Sequence, residues 1–313
     1  MVDINNSIYC PLCGTLTKDY RIWVKTDVGN ILRCKICDLG FLDIKDSKLA
    51  INKNELYNAR TYYKLIDGLQ QYLHGRYKKQ LKVIKKYTIS DAKILDIGCS
   101  IGLFLKTASS YGFIPFGYDI NKINLIKAEK LFGINVVNDN YLEEETYDLF
   151  FDVITIWDVL EHMADPITFL SKLLFKLKSG GLLVVQCPNM DSYEFLRFGR
   201  HWNWLIPGDH LLFYTIKTLN HVLVKTGFKP ILIKPISEGY AFSNALLSID
   251  KKDPTLIFNR ILVKILKRVK IKFNNKGIHV PVEKLIGVYG KILQYIKHTG
   301  KNSNLILIIA QKP

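Results

Sequence analysis

From Lys93 onward the chain alternates short apolar strands with amphipathic helices, and this alternation constrains the fold more than any single motif. KILDIG, IPFGYDI and INVV read as strands one to three, with LFLKTASSYG and NKINLIKAEKLFG as helices closed by Gly112 and Gly133. DVITIW reads as a fourth strand, and DPITFLSKLLFKLK as a helix opened by Asp165 and Pro166. LLVVQC follows Gly180 and Gly181 as a fifth strand. TIKTLNHVLVKTG is a further helix, KPILIKPI a sixth strand and NLILIIAQ the last. Regular βα alternation predicts an α/β domain over 91–313, a doubly wound sheet with helices on both faces.

The first strand runs into ILDIGCSIG (94–102), a glycine-studded turn that opens a helix. Such a turn brings backbone N–H groups and a helix N-terminus close to a bound cofactor. A dinucleotide fingerprint would need G-x-G-x-x-G, and the third glycine is missing here. An acid stands where the second strand ends, Asp119 in GYDIN, placed to accept hydrogen bonds from two ribose hydroxyls.

LDIGCSIGLFL resembles the LDxGxGxGxFL signature of class I S-adenosylmethionine-dependent methyltransferases. FDVITIWDVLEHMADP, LKSGGLLVVQCPN and HWNWLIPGDHLLFYTIKTLNHVLVKTGF resemble that family's fourth strand, fifth strand and acceptor-side segment. NSNLILIIAQKP resembles its antiparallel seventh strand, so the resemblance implies a Rossmann-like, doubly wound, seven-stranded sheet. It also implies roles. Asp96, Gly98, Ser100 and Gly102 would shape the turn that holds the methionine part of the cofactor. Asp119 would take the ribose diol, Ile120 the adenine face, Asn140 or Tyr141 the adenine edge, with Asp139 as alternative, and Trp157 the methionine end.

Ahead of this domain, four of the six cysteines fall as CPLC (Cys10, Cys13) and CKIC (Cys34, Cys37), twenty residues apart. This is close to zinc-ribbon spacing, in which two knuckles point four thiolates at one tetrahedral ion. A disulfide framework is the competing reading, and a cytoplasmic setting disfavours it. Four thiolates complete the coordination sphere, so the expected zinc is structural. The domain plan is therefore a zinc ribbon over 1–45, a helical linker over 46–90, and the methyltransferase domain over 91–313. Cys99 and Cys187 read as ordinary buried thiols.

The sulfonium of the implied cofactor is an activated methyl donor, so catalysis requires in-line placement of the acceptor and exclusion of water. An oxygen acceptor also needs a proton removed, and His162 in DVLEHM and His210 in GDHLLFY are the candidates. Each is equally readable as a loop or packing histidine. If the segment after strand four is helical, Asp158, Glu161 and His162 share a face. That stretch is similar to the E-x-x-E-H of ubiquinone-pathway O-methyltransferases, which implies a divalent ion. The alternative is that Asp158 caps the helix and Glu161 positions His162.

The acceptor expected is a small molecule, a sugar or a lipid-linked hydroxyl compound. An RNA methyltransferase with a zinc module is the rival, and a non-catalytic zinc-ribbon scaffold a third reading. WDVLEH in place of an Asp/Asn-Pro-Pro-Tyr loop disfavours methylation of a base nitrogen. The formal net charge is +16, and residues 251–313 hold 14 Lys/Arg against two carboxylates. Much of that charge lies in a basic helical insertion expected at about 240–303. Within it, residues 255–273 carry Phe258, Ile261, Leu262, Ile265, Leu266, Val269 and Phe273 on one helical stripe and Arg260, Lys264, Lys267 and Arg268 opposite. Such a segment suits either contact with an anionic membrane surface or a lid over the acceptor. With no secretory leader and no transmembrane run in the sequence, the expected location is cytoplasmic, with peripheral membrane contact through 255–273.

Overall fold

The computed structural model describes residues 9–16, 20–26, 28–43, 73–202, 204–206, 208–236 and 303–313. Its main sheet has seven strands: β4 (Lys93–Ile97), β5 (Ile114–Tyr118), β6 (Asn135–Val136), β7 (Phe151–Trp157), β8 (Leu177–Pro188), β10 (Lys229–Ile236) and β11 (Leu305–Gln311). Their spatial order is β10-β11-β8-β7-β4-β5-β6. β11 runs antiparallel to both its neighbours, β10 and β8, while the pairs from β8 to β6 are parallel. The expected doubly wound sheet with an antiparallel last strand is thus the observed one. β8 differs in length, since it begins at Leu177, ahead of the Gly180-Gly181 pair from which the fifth strand was expected. Gly180 has φ +74°, and the register against β7 shifts there, so the glycines sit in an irregularity rather than at a boundary.

Alternation along each strand divides two cores. Leu95, Ile154, Leu183, Val185, Ile306 and Ile308 face one core; Ile94, Val153, Leu182, Val184, Leu307 and Ile309 face the other. These strands read as continuous apolar runs because both faces are covered. The helical residues 73–84 (α1), α2 (Leu103–Ser109) and α3 (Lys122–Phe132) contribute Leu81, Ile84, Phe104, Leu105, Leu125 and Ala128 to the second core. α4 (Pro166–Lys176) and α6 (Ile216–Lys225) supply Leu170, Leu173, Leu219 and Val222 to the first. Local signals set the helix ends. The Asn121 side chain accepts from the Ile123 and Asn124 amides, the Asp165 side chain caps Thr168 ahead of Pro166, and Thr215 with Thr218 forms a capping box.

The N-terminal cysteine module is not a free appendage. β1 (Tyr20–Lys25), β2 (Asn30–Cys34) and β3 (Gly40–Asp43) form an antiparallel meander, and a two-residue strand from the main domain, β9 (Leu212–Phe213), adds to its edge. Leu32, Leu39 and Phe41 join the first core of the main domain, whereas Ile31 and Leu42 face a third cluster with Met190, Phe195, Phe198 and Trp202. Part of the linker expected over 46–90 and the basic insertion expected at about 240–303 fall mainly on residues 44–72 and 237–302, outside the described residues.

Candidate functional site

The glycine-rich turn closes over the ends of β4 and β5. Gly98 and Gly102 have φ +78° and +81°, and Ser100 between them has φ +51°. A Cβ on Gly98 would lie 2.5 Å from Val159 Cγ2, so the first glycine of the turn is required by space as well as by backbone conformation. Asp119 accepts from the Ser100 amide through Oδ2 and from the Asn121 amide through Oδ1, both at 2.8 Å. Burial raises its carboxyl above the ordinary value against these amide bonds. Asp96 lies deeper: burial pushes it up to about 8, and Thr155 donates to it at 2.7 Å. The charge of Asp119 adds to burial in raising Asp96.

The expected cofactor contacts are partly gathered here. Ile120, directly after Asp119, is 71% exposed, an apolar side chain open to a flat partner. Ser100 Oγ and Trp157 Nε1 are buried with no hydrogen-bond partner. Unpaired buried polar atoms beside an exposed apolar residue fit a ligand that is both polar and aromatic. Asp139 and Asn140 are exposed, and Asp139 pairs with Lys122. Tyr141 is instead 2% exposed, its ring packed 4.7 Å from that of Tyr118. Of the adenine-edge candidates, it supports the wall rather than lining the surface.

Past β7 the structure corrects the expected helical face. Asp158 has φ +56°, and the helical turn that follows is a single 3-10 turn, Leu160–His162, capped by Val159. Asp158 therefore neither shares a face with Glu161 and His162 nor caps a helix. Its carboxylate accepts from Gln186 Nε2 at 3.0 and 3.2 Å and pairs with Arg76 at 3.2 Å, while Gln80 donates to Gln186 Oε1 at 3.0 Å. The left-handed backbone turns Asp158 toward β8 and α1, away from the 3-10 turn.

Glu161 and His162 meet His210 instead, with ligand atoms of all three within 4.8 Å of one another. His162 Nδ1 donates to the Asp209 backbone oxygen at 2.8 Å and lies 3.2 Å from Asp209 Oδ1. Its ring stands edge to face with His210 at 4.7 Å. Burial opposes charge on His162, but Asp209 and then Glu161 raise it to about 9. His210 is lowered to about 4, first by burial and then by the neighbouring His162. Glu161 is fully enclosed, both its oxygens lack a partner of hydrogen-bond geometry, and burial pushes it up to about 8. The Cys187 thiol and Tyr214 lie close enough to feel its charge.

Sequence reasoning missed Asp209, Gln186, Gln80 and Arg76. Two carried a signal: Asp209 adjoins His210 in GDH, and Gln186 is a lone amide inside the apolar run LLVVQC. Arg76 and Gln80 sit among many polar residues and carried none.

The four paired cysteines converge as expected. Cys10 Sγ lies 3.4 Å from Cys37 Sγ and Cys13 Sγ 3.6 Å from Cys34 Sγ, all four within 4.8 Å of one another. Four sulfurs gathered this closely, two from each knuckle, suit a tetrahedral ion with Zn–S bonds of about 2.3 Å.

Comparison with known proteins agrees with this geometry. Residues 69–233 match the family model described as a methyltransferase domain. The chain is 29% identical over 174 residues to a ubiquinone biosynthesis O-methyltransferase of Cereibacter sphaeroides, covering 50% of this chain and 70% of that one. It is 29% identical over 202 residues to the protein of that name from a Ruegeria species, covering 59% and 81%. An S-adenosylmethionine-dependent methyltransferase from Archaeoglobus fulgidus shares the fold with TM-score 0.51 and 22% identity, over 80% of this chain and 99% of that one.

Proposed function

The chain belongs to the methyltransferase domain family and is an S-adenosylmethionine-dependent methyltransferase; from that premise we propose that it transfers the methyl group to a hydroxyl of a small-molecule, sugar or lipid-linked acceptor. The turn at Gly98–Gly102 would hold the methionine part, Asp119 the ribose diol and Ile120 the adenine face. Arg76 and Trp157 would bound the methionine end. The bound cofactor supplies an electrophilic methyl group on sulfonium, so the chain's own task is to orient the acceptor and manage one proton.

The observation that carries the oxygen assignment is the His162–Asp209 pair. With Nδ1 committed to Asp209, the neutral form of His162 keeps Nε2 to take the proton of an acceptor hydroxyl, and because Asp209 favours the imidazolium, that form and the transfer grow as pH rises toward about 9. His210, held neutral, packs against that ring and fixes its orientation. The relatives named as ubiquinone biosynthesis O-methyltransferases support a hydroxyl acceptor. The test is methyl transfer from labelled cofactor to a panel of hydroxyl compounds. His162→Gln should lower kcat by about 10²–10⁴-fold, with cofactor affinity unchanged. Unchanged kcat would remove His162 from the mechanism.

A second reading of the same cluster rests on Glu161, whose buried carboxylate has no N–H or O–H donor and only the Cys187 thiol beside it among the described residues. Carboxylate and imidazole donors fit a divalent ion, which Glu161, His162 and His210 would hold and which would lower the pKa of an acceptor hydroxyl. Activity that depends on added divalent ion, and is lost in Glu161→Gln, separates this from the proton-transfer reading. At the ribbon, Cys10, Cys13, Cys34 and Cys37 would hold a structural zinc ion, testable as one zinc per chain by elemental analysis.

A further inference from the structure

The ribbon and the candidate acceptor side are joined at several independent points. β3 pairs with β9 through Gly40 with Phe213 and Phe41 with Leu212, and the Leu42 amide donates to the Leu211 oxygen at 2.9 Å. The Leu211 amide in turn donates to the Glu161 backbone oxygen at 2.9 Å, so one residue bridges ribbon and 3-10 turn. His210 is the next residue along. Arg33 of β2 holds Asp38 through two bonds of 2.6 Å, lies 3.6 Å from Asp191 Oδ1, and stacks on Trp23, whose ring meets Phe195 edge to face at 5.3 Å. Lys225 of α6 donates to the Leu12 oxygen within the first cysteine knuckle.

These contacts make the ribbon one wall of the cluster in which the described residues of 189–213 pack. It contains α5 (Tyr193–Phe198) and the two-residue β9. Its apolar side chains Met190, Phe195, Phe198 and Phe213 are buried against Ile31 and Leu42 of the ribbon. The ribbon strands are four to six residues long, and the second cysteine knuckle joins two of them, with Cys34 ending β2 and Cys37 three residues before β3. A sheet this small needs a staple to persist, and the crossed sulfurs supply the site for one.

We propose that a thiophilic ion bound by Cys10, Cys13, Cys34 and Cys37 is a positioning element for the acceptor half of the active site, acting through β3, β9 and Leu211 on Glu161 and His210. The inference rests on the acceptor-side assignment of Glu161, His162 and His210. The cofactor turn at 98–102 and Asp119 follow β4 and β5, which share the first core with the ribbon but pair with none of its strands, and the proposal makes them independent of the ion. Occupancy of the ribbon thus divides the enzyme into a cofactor half that persists and an acceptor half that requires the ion.

Amide hydrogen exchange on the full chain tests this, before and after removal of zinc by a high-affinity chelator. Exchange in peptides covering 30–43 and 209–215 should accelerate together by at least tenfold, while peptides covering 93–119 and the Kd for S-adenosylmethionine stay within twofold. Re-addition of zinc should restore protection. Gly40→Ala supplies an arm that spares the thiolates: its Cβ would lie 2.8 Å from Trp23 Cζ3, 2.9 Å from Phe213 Cβ and 3.1 Å from the Phe213 oxygen, crowding β9 and the Trp23 ring together. That variant should retain its zinc yet lose protection at 209–215. Protection at 209–215 that survives loss of protection at 30–43 would overturn the proposal, as would equal loss at 93–119. Failure of the acceptor-side assignment would show elsewhere, as undiminished methyl transfer by His162→Gln.

Discussion

The Ser100 amide donates to Asp119 Oδ2 at 2.8 Å, so the glycine-rich turn and the acid at the end of the next strand form one hydrogen-bonded unit across β4 and β5. Nineteen positions of chain separate them. The carboxylate both shapes the turn and remains at its rim for a ligand. Asp119→Ala should weaken S-adenosylmethionine binding by about 1.5–3 kcal/mol, the scale of bonds to a charged group, read by calorimetry. Asp119→Asn keeps one acceptor oxygen and should lose less. Binding of NAD in place of S-adenosylmethionine would contradict the assignment.

Gly98 permits no side chain. Gly98→Ala combines a φ of +78° with a Cβ 2.5 Å from Val159 Cγ2, a strain of about 1–3 kcal/mol that must be relieved by moving the loop after β7. Both edges of the cofactor site shift together. Lower thermal stability with lost cofactor binding is the expected result, and Val159→Ala should restore part of both.

Glu161 and His162 make stability fall at alkaline pH in metal-free buffer. The Glu161 carboxyl is raised by burial, and then by Asp158, from 4.5 to about 8, so the folded state holds a proton that the unfolded state releases. Stability therefore declines as pH rises from about 4.5 to 8. His162, raised to about 9, adds stability that is complete below 6.5 and lost as pH rises through 9. Urea denaturation across pH 5–10 checks this. Glu161→Gln should flatten the first decline and His162→Gln the second, and a profile identical to the parent in either variant would refute that group's share.

Residues 255–273 carry the remaining expectation. Six basic side chains between Arg260 and Lys272 would contribute roughly 1 kcal/mol each near an anionic surface. Co-sedimentation with anionic but not neutral vesicles, abolished when Lys264, Lys267 and Arg268 become Glu, is the outcome if the segment contacts a membrane. Retention in the supernatant with both vesicle types at low salt would leave the lid reading. Among the described residues, no helix is long and apolar enough to cross a membrane.

What the sequence alone determined is what short stretches encode. Strand alternation, the helix start at Asp165 and Pro166, the turn at Gly98–Gly102 and the paired cysteines each depend on neighbours within a few positions, so periodicity and spacing expose them. The tertiary structure decided which distant residues meet. Leu212–Phe213 is too short to show a strand period, and it becomes a strand only because β3 offers an open edge. Asp158 left its expected helical face because Gln186 and Arg76, 28 and 82 residues away, satisfy its charge better than a local cap would. The same holds for Asp209 at His162, 47 positions apart: a hydrogen bond between two loops has no period, and only packing brings its partners within reach.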